Sequence, residues 1–419
     1  MSASLFVDAV SVGIPLLWLA VLIVFRRQLI HLWYEPVLHY PVLIIESDDW
    51  GPGPAEHVSA LAHICKILEG YKDVRGHTAV MTIGVILAVA DNASIRTNGF
   101  TRYARKTLKD KEYVSLCRLL HKGNRSGVLA LQLHGLEHLW APALMRAGNA
   151  AGEVRNWIET ATGSDTELLP SPIQSRWIDG SVLPSNVLSA AEIDTAVDEE
   201  VDLYRESFGV GPAVVVPLTF IWNEAVERAW ARNGVETVIT PGRRYTGRDA
   251  QGAPCCVDRQ IFNGDISNSN MTYLVRDIYF EPAKGHKAED VLTRIQEHSR
   301  LGRPALLETH RFNFVGDEQK QKESLAELDR LLSFAQKNLP SLRFVSSEEL
   351  AIQFRTGAGE LLEKSLPARM GVWINRATQI GRLRKLAWAT GLVFPAFLIQ
   401  LALKGLSPNN EPANKGNPA

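Results

Sequence analysis

Between Val42 and Leu350, short apolar runs alternate with longer stretches of helical periodicity, and this alternation restricts the possible folds more than any other feature. Runs at 42–47, 78–88, 128–133, 213–219, 236–240, 272–280, 304–309 and 343–346 read as buried strands. Stretches at 55–69, 111–122, 192–208, 223–233, 288–300 and 318–337 read as helices. Regular β-α alternation over roughly 300 residues implies an α/β domain built on a parallel sheet or closed barrel. The segment 141–185 breaks the rhythm with Trp157, Trp177, Pro170, Pro172 and Pro184. It follows the run 128–133, so it is expected to lie over the rim formed by the strands' carboxyl ends.

The polar residues that end these runs carry the chemistry. Val42-Leu43-Ile44-Ile45 leads into Ser47-Asp48-Asp49-Trp50-Gly51. Two adjacent carboxylates at a strand end repel each other unless a metal ion or a shared proton relieves them. A later run ends in His134-Gly135-Leu136-Glu137-His138. With a helix starting near Gly135, this spacing places two imidazoles one turn apart on one face. Asp49, His134 and His138 then form a three-ligand set of the kind that leaves a metal position open for water. Glu308-Thr309-His310-Arg311 ends a third run, and a protonated His310 there is placed to act as a general acid. Each motif alone is as well explained by packing; together, on strand ends, they point to one site.

Composition excludes some functions. A net charge of −1 and a pI near 6.8 give no basis for binding nucleic acid. Cys65, Cys117, Cys255 and Cys256 have no metal-ligand spacing and read as reduced thiols.

The ends of the chain differ from its middle. Residues 1–27 read as a transmembrane anchor, with an uncharged run from Ala9 to Phe25 followed by Arg26 and Arg27. Residues 386–404 form a second hydrophobic membrane segment, weakened by Gly391, Pro395 and Gln400. Before it, 366–385 reads as one basic amphipathic helix, with Met370, Trp373, Ala377, Ile380 and Leu383 on one face. Arg369, Arg376, Gln379, Arg382 and Arg384 occupy the other, and 405–419 is a polar tail. Both basic clusters face the middle of the chain, which under the positive-inside rule puts that middle in the cytoplasm of a bacterial inner membrane. An exported catalytic domain is the competing reading.

The Asp-Asp motif after the first strand, the His-x-x-x-His motif and the late rim histidine resemble the polysaccharide deacetylase (NodB-homology) superfamily. The closing segment Leu342-Arg343-Phe344-Val345-Ser346-Ser347-Glu348-Glu349-Leu350 is also similar to that family's end. The resemblance covers about 40–352, within a domain placed at 36–355. It implies a distorted (β/α)7 barrel that removes N-acyl groups from sugars with a divalent metal: zinc first, with cobalt, nickel, manganese or iron as alternatives. It assigns Asp48 as base, Asp49, His134 and His138 as metal ligands, and His310 as acid.

The sequence also departs from the family pattern. Trp50 stands before Gly51, Gly135 follows the first histidine, and Pro217-Leu218-Thr219-Phe220-Ile221-Trp222-Asn223 lacks the arginine that the family uses to steady its base. Arg276 or Arg311 is the candidate replacement. With Trp50, Phe220, Trp222 and Asn223, they make up the expected substrate-binding group. The membrane segments favour a membrane glycolipid or lipid-linked saccharide carrying an N-acetyl or N-formyl group. The alternatives are an exported deacetylase of peptidoglycan or exopolysaccharide and a non-catalytic membrane scaffold.

Overall fold

A computed structural model describes residues 3–406, with side chains for 12–403. The expected polar tail 405–419 therefore lies, beyond Leu406, outside the described residues. The chain divides into two compact units. The larger comprises 40–299 and 304–359; the smaller comprises the described parts of 1–39, 300–303 and 360–419.

Nine strands make one sheet in the larger unit. They are β1 (Val42–Trp50), β2 (Met81–Val85), β3 (Leu129–Leu133), β4 (Val214–Val215), β5 (Thr237–Thr240), β6 (Thr272–Val275), β7 (Ile278–Tyr279), β8 (Ala305–His310) and β9 (Arg343–Phe344). The order is β6-β5-β4-β3-β2-β1-β8-β7, with β9 also on β1, and every pairing is parallel. Helices Glu56–Glu69, Val114–Ser126, Ala190–Phe208, Glu224–Arg232, Ala288–Arg300 and Glu318–Asn338 supply most crossovers.

Crossover helices cover one face of a parallel sheet and packed side chains the other, so a central strand has no solvated face and reads as a continuous apolar run. Val42, Leu43, Ile44 and Ile45 are all buried, and each stabilises the fold by about 1.5–3 kcal/mol.

Two features differ from the sequence reading. The run 272–280 is two strands, not one. Arg276 and Asp277 divide it, and its halves pair with opposite edges of the sheet, β6 with β5 and β7 with β8. The barrel is therefore an open, curled sheet whose two edges are joined by the covalent chain at Arg276-Asp277. Between β5 and β6 the crossover is an antiparallel hairpin, Arg243–Arg248 with Pro254–Gln260, rather than a helix.

The segment 141–185 contains helices Ala141–Gly148 and Glu153–Thr160, with a small core of Leu144, Ile158, Leu169 and Ile173. It does reach the rim. Ser164 meets Arg311 just after β8, and Ser175 Oγ lies 2.7 Å from Thr219 Oγ1 just after β4.

In the smaller unit, the expected single helix 366–385 is two helices, Leu366–Ala377 and Gly381–Thr390. Arg376 is not on a solvated face. It is buried and donates to the carbonyls of Leu301 (2.8 Å), Glu35 (2.9 Å), Pro36 (2.8 Å) and Gly302 (3.0 Å).

Among the described residues, no single helix is long and apolar enough to cross a membrane. Two pairs have the length and composition only jointly, and both are bent: Val12–Val24 with Arg26–Tyr34 by 67°, and Gly381–Thr390 with Val393–Leu403 by 101°. The transmembrane anchor expected at 1–27 and the membrane segment expected at 386–404 thus do not form single straight spanning helices.

Candidate metal and acid-base site

Adjacent residues of a regular strand face opposite sides, so Asp48 and Asp49 can share a mouth only if the strand is irregular. It is. Ser47 pairs with Ile83 and Trp50 with Val85, so β1 carries one extra residue across this step. Asp49 absorbs the bulge at φ 69°, a conformation that aspartate tolerates better than most residues. Both carboxylates then reach the same imidazole: His134 Nε2 lies 3.3 Å from Asp49 Oδ1 and 4.0 Å from Asp48 Oδ2.

The stretch after β3 is an irregular turn, not the expected helix, and Gly135 makes it possible at φ 108°. A side chain there would press on Leu218 in addition to the backbone strain. The turn brings His138 Nε2 to 3.5 Å from Asp49 Oδ1.

One ligand atom from each of Asp49, His134 and His138 lies within 4.8 Å of the others. Bonds of about 2.0–2.1 Å on a tetrahedron separate neighbouring ligands by roughly 3.4 Å, so the two contacts at Asp49 have the spacing a divalent ion needs. Orientation agrees. The ring nitrogen Nδ1 of His134 lies 3.0 Å from the Val216 carbonyl, which takes its N–H and leaves Nε2 with its lone pair facing Asp49. Asp49 Oδ1 is buried with no hydrogen-bond partner, as expected of an atom reserved for a cation. The three residues therefore fit a divalent metal.

Arg276 supplies the cation missing from the loop after β4. From the seam between β6 and β7 its guanidinium donates to Asp48 Oδ2 at 2.7 Å and Glu46 Oε2 at 2.8 Å, and its Nε lies 3.2 Å from Glu308 Oε2. Burial alone would raise the Asp48 pKa; Arg276 above all, with His310, outweighs it and holds the carboxyl below its ordinary value. Glu46 goes the other way, raised by burial despite Arg276 and a hydrogen bond from Ser347. The other Asp48 oxygen, Oδ1, is buried and without a hydrogen-bond partner. Gly84 leaves room for it, since a Cβ there would sit 2.2 Å from Oδ1.

The β1–β8 register places His310 directly beside Asp48. His310 Nδ1 pairs with Glu281 Oε1 at 2.5 Å, and its Nε2 lies 3.8 Å from Glu308 Oε1. Burial opposes the charge on His310, but Glu281, Asp49 and Asp48 overcome it and push the pKa up to about 9.

Several expected substrate contacts are corrected. Trp50 is fully buried and donates to Ser47 Oγ at 2.8 Å, so it packs the core and cannot stack on a sugar. Trp222 is equally buried and donates to Glu227. Asn223 caps the helix Glu224–Arg232 by accepting from Ala225 N and Val226 N. Arg276 is enclosed by carboxylates and is out of reach of substrate. Arg311 does not serve Asp48. It donates to the Ser164 carbonyl and lies against His57, which burial and Arg311 keep neutral with a pKa near 3. Phe220 alone among the aromatic candidates is partly open, with Arg276 5.3 Å from its ring centre. It sits with Thr219 in a strained turn, both residues having φ above 50°.

Glu46, Glu281 and Gly84 were missed. Glu46 left a trace, a carboxylate inside an otherwise apolar buried strand. Glu281 and Gly84 left none, because their roles depend on contacts across the sheet.

No protein-family model matches the chain, and no curated protein matches it. Among solved structures it is similar to a Mycobacterium smegmatis protein described as a polysaccharide deacetylase, at 10% identity over 79% of this chain and 97% of that one, TM-score 0.41. It is similar to a peptidoglycan deacetylase from Bacillus subtilis at 12% identity over 76% and 93%, TM-score 0.34. A CE4 family pseudoenzyme from Bacillus anthracis aligns at 9% identity over 75% and 66%, TM-score 0.36. Their descriptions belong to the family that the motifs resemble.

Proposed function

We propose that the protein is a metal-dependent hydrolase that removes an N-acyl group from a sugar, a divergent relative of the polysaccharide deacetylases. One observation carries this reading: Asp48, its carboxylate held by Arg276, stands beside His310 and 4.0 Å from His134 of a three-ligand metal set. A divalent ion held by Asp49, His134 and His138 would supply Lewis acidity toward the amide carbonyl and its attacking water. Asp48 takes the proton from that water. Arg276 keeps Asp48 ionised and its carboxyl plane fixed. His310 Nε2 gives a proton to the departing amine, and Glu281 holds the ring in the orientation that presents it. Phe220 is left as the aromatic platform for the sugar ring.

The membrane setting is part of the proposal. Apolar terminal helices with basic flanks favour a substrate held in a membrane, a glycolipid or lipid-linked saccharide, worked on from the cytoplasmic side. The test is N-acetyl release from a short N-acetylglucosamine oligomer together with metal content. Asp48→Asn should keep its metal and lose at least 100-fold in rate. Full activity in that variant, or a wild-type protein that takes up no divalent ion, overturns the reading.

A further inference from the structure

The smaller unit contains an apolar cavity of about 420 Å³ that the reaction does not use. Its walls come from every helix around it: Leu22 and Leu29 at the amino end, Trp373 and Ala377 from Leu366–Ala377, Ala387 from Gly381–Thr390, and Ile399 from Val393–Leu406. The volume lies within the range of small-molecule sites. A partly open groove of this size, walled by apolar side chains, offers a hydrocarbon chain close packing along its length.

Two further observations say what fills it. One is the surrounding surface. Leu16, Leu19, Phe394, Phe397 and Leu398 are exposed, Phe394 at 68%, as is Trp388 at 67%, the residue type that settles at a membrane interface. The other is charge. Between Leu366 and Leu406 there are six Lys or Arg residues and no Asp or Glu. Arg376 is consumed internally, but Arg384 lines the cavity, and Arg382 and Lys385 beside it are exposed. An apolar slot with cations at its wall, on a bent and partly exposed apolar surface, matches a phosphate head with a hydrocarbon tail.

We propose that this cavity binds one acyl chain of an anionic bilayer phospholipid, with the phosphate at Arg384 and Lys385. The site anchors the unit in one leaflet and makes membrane attachment selective for anionic lipid. The proposal rests on the membrane setting given above but not on the hydrolytic chemistry.

Full-length protein in neutral detergent, titrated with dioleoylphosphatidylglycerol or dioleoylphosphatidylcholine and read by native mass spectrometry, tests it. The wild type should retain one phosphatidylglycerol at least tenfold more tightly than phosphatidylcholine. Ala396 lines the cavity with Ala387, and the double variant Ala387→Trp/Ala396→Trp, which fills the slot, should lose at least tenfold in retention. Arg384→Glu/Lys385→Glu changes only exposed charges; it should keep chain binding and lose the preference for phosphatidylglycerol. Equal retention of the two lipids by the wild type, or undiminished binding by the filled variant, overturns the proposal. N-acetyl release measured on the same samples separates the two ideas: lipid retained without hydrolysis defeats the catalytic reading alone, and hydrolysis without lipid retention defeats the slot alone.

Discussion

Each unit has a buried arginine at its centre, and the two are satisfied differently. Arg376 spends its donors on backbone carbonyls, with Glu35 3.5 Å away. Arg276 spends its donors on three carboxylates: Glu46, Asp48 and Glu308. Carbonyls are neutral and cannot change protonation state, so an arginine among them fastens chain segments and does nothing else. Carboxylates titrate, so an arginine among them sets which are charged. The first arrangement is architecture; the second is tuned chemistry.

That contrast can be broken in a definite order. Arg276→Met should have the largest effect, stranding three buried acids, destabilising the larger unit by about 3–5 kcal/mol and abolishing hydrolysis. Arg376→Met should destabilise by about 3 kcal/mol or more through unsatisfied carbonyls while the larger unit keeps its metal and its rate. Denaturant melts with parallel assays check both; equal loss of activity in the two variants would dissolve the distinction. Gly84→Ala comes next. Its methyl group must displace an Asp48 oxygen that Arg276 pins on the other side, so the rate should fall at least tenfold with metal content unchanged.

The pH dependence is a finer probe. Asp48, held low, is ionised across the neutral range, and His310 must be protonated to act. Activity should therefore fall as pH rises through the His310 pKa, which Glu281 holds above its ordinary value. Glu281→Gln removes a partner that favours the imidazolium, so the alkaline limb should move to lower pH. A limb unmoved in that variant would mean another group titrates there. Smallest of all is Trp50→Phe: losing one buried hydrogen bond to Ser47 should cost about 1 kcal/mol of stability and leave substrate affinity unchanged, in contrast with Phe220→Ala, which should raise KM.

The strands and the residues at their ends were legible in the sequence because a buried parallel strand is written as an apolar run and its end as the first polar residues after it. Asp48, Asp49, His134, His138 and His310 all stand out in this way. What lay across the sheet did not. The break at Arg276-Asp277 falls within one apolar run, and only the pairing of its halves with opposite edges shows that two strands are present. The hairpin 243–260 is largely polar and has no apolar rhythm to announce it. Trp50 and Trp222 looked available because a large aromatic beside a motif reads the same in sequence whether its indole faces solvent or core. Arg376 looked solvated for the converse reason, since helical periodicity does not reveal carbonyls brought in by distant segments.

The seam at Arg276-Asp277 has one more consequence. The sheet's edges are joined there by three peptide units and one side chain, and that side chain is also what keeps the base charged. Any gap opening between Val275 and Ile278 withdraws the guanidinium from Asp48 before a single strand has left the sheet. Catalytic competence is thus a gauge of closure: under mild heat or denaturant this molecule should go silent while its circular dichroism spectrum still reads as folded.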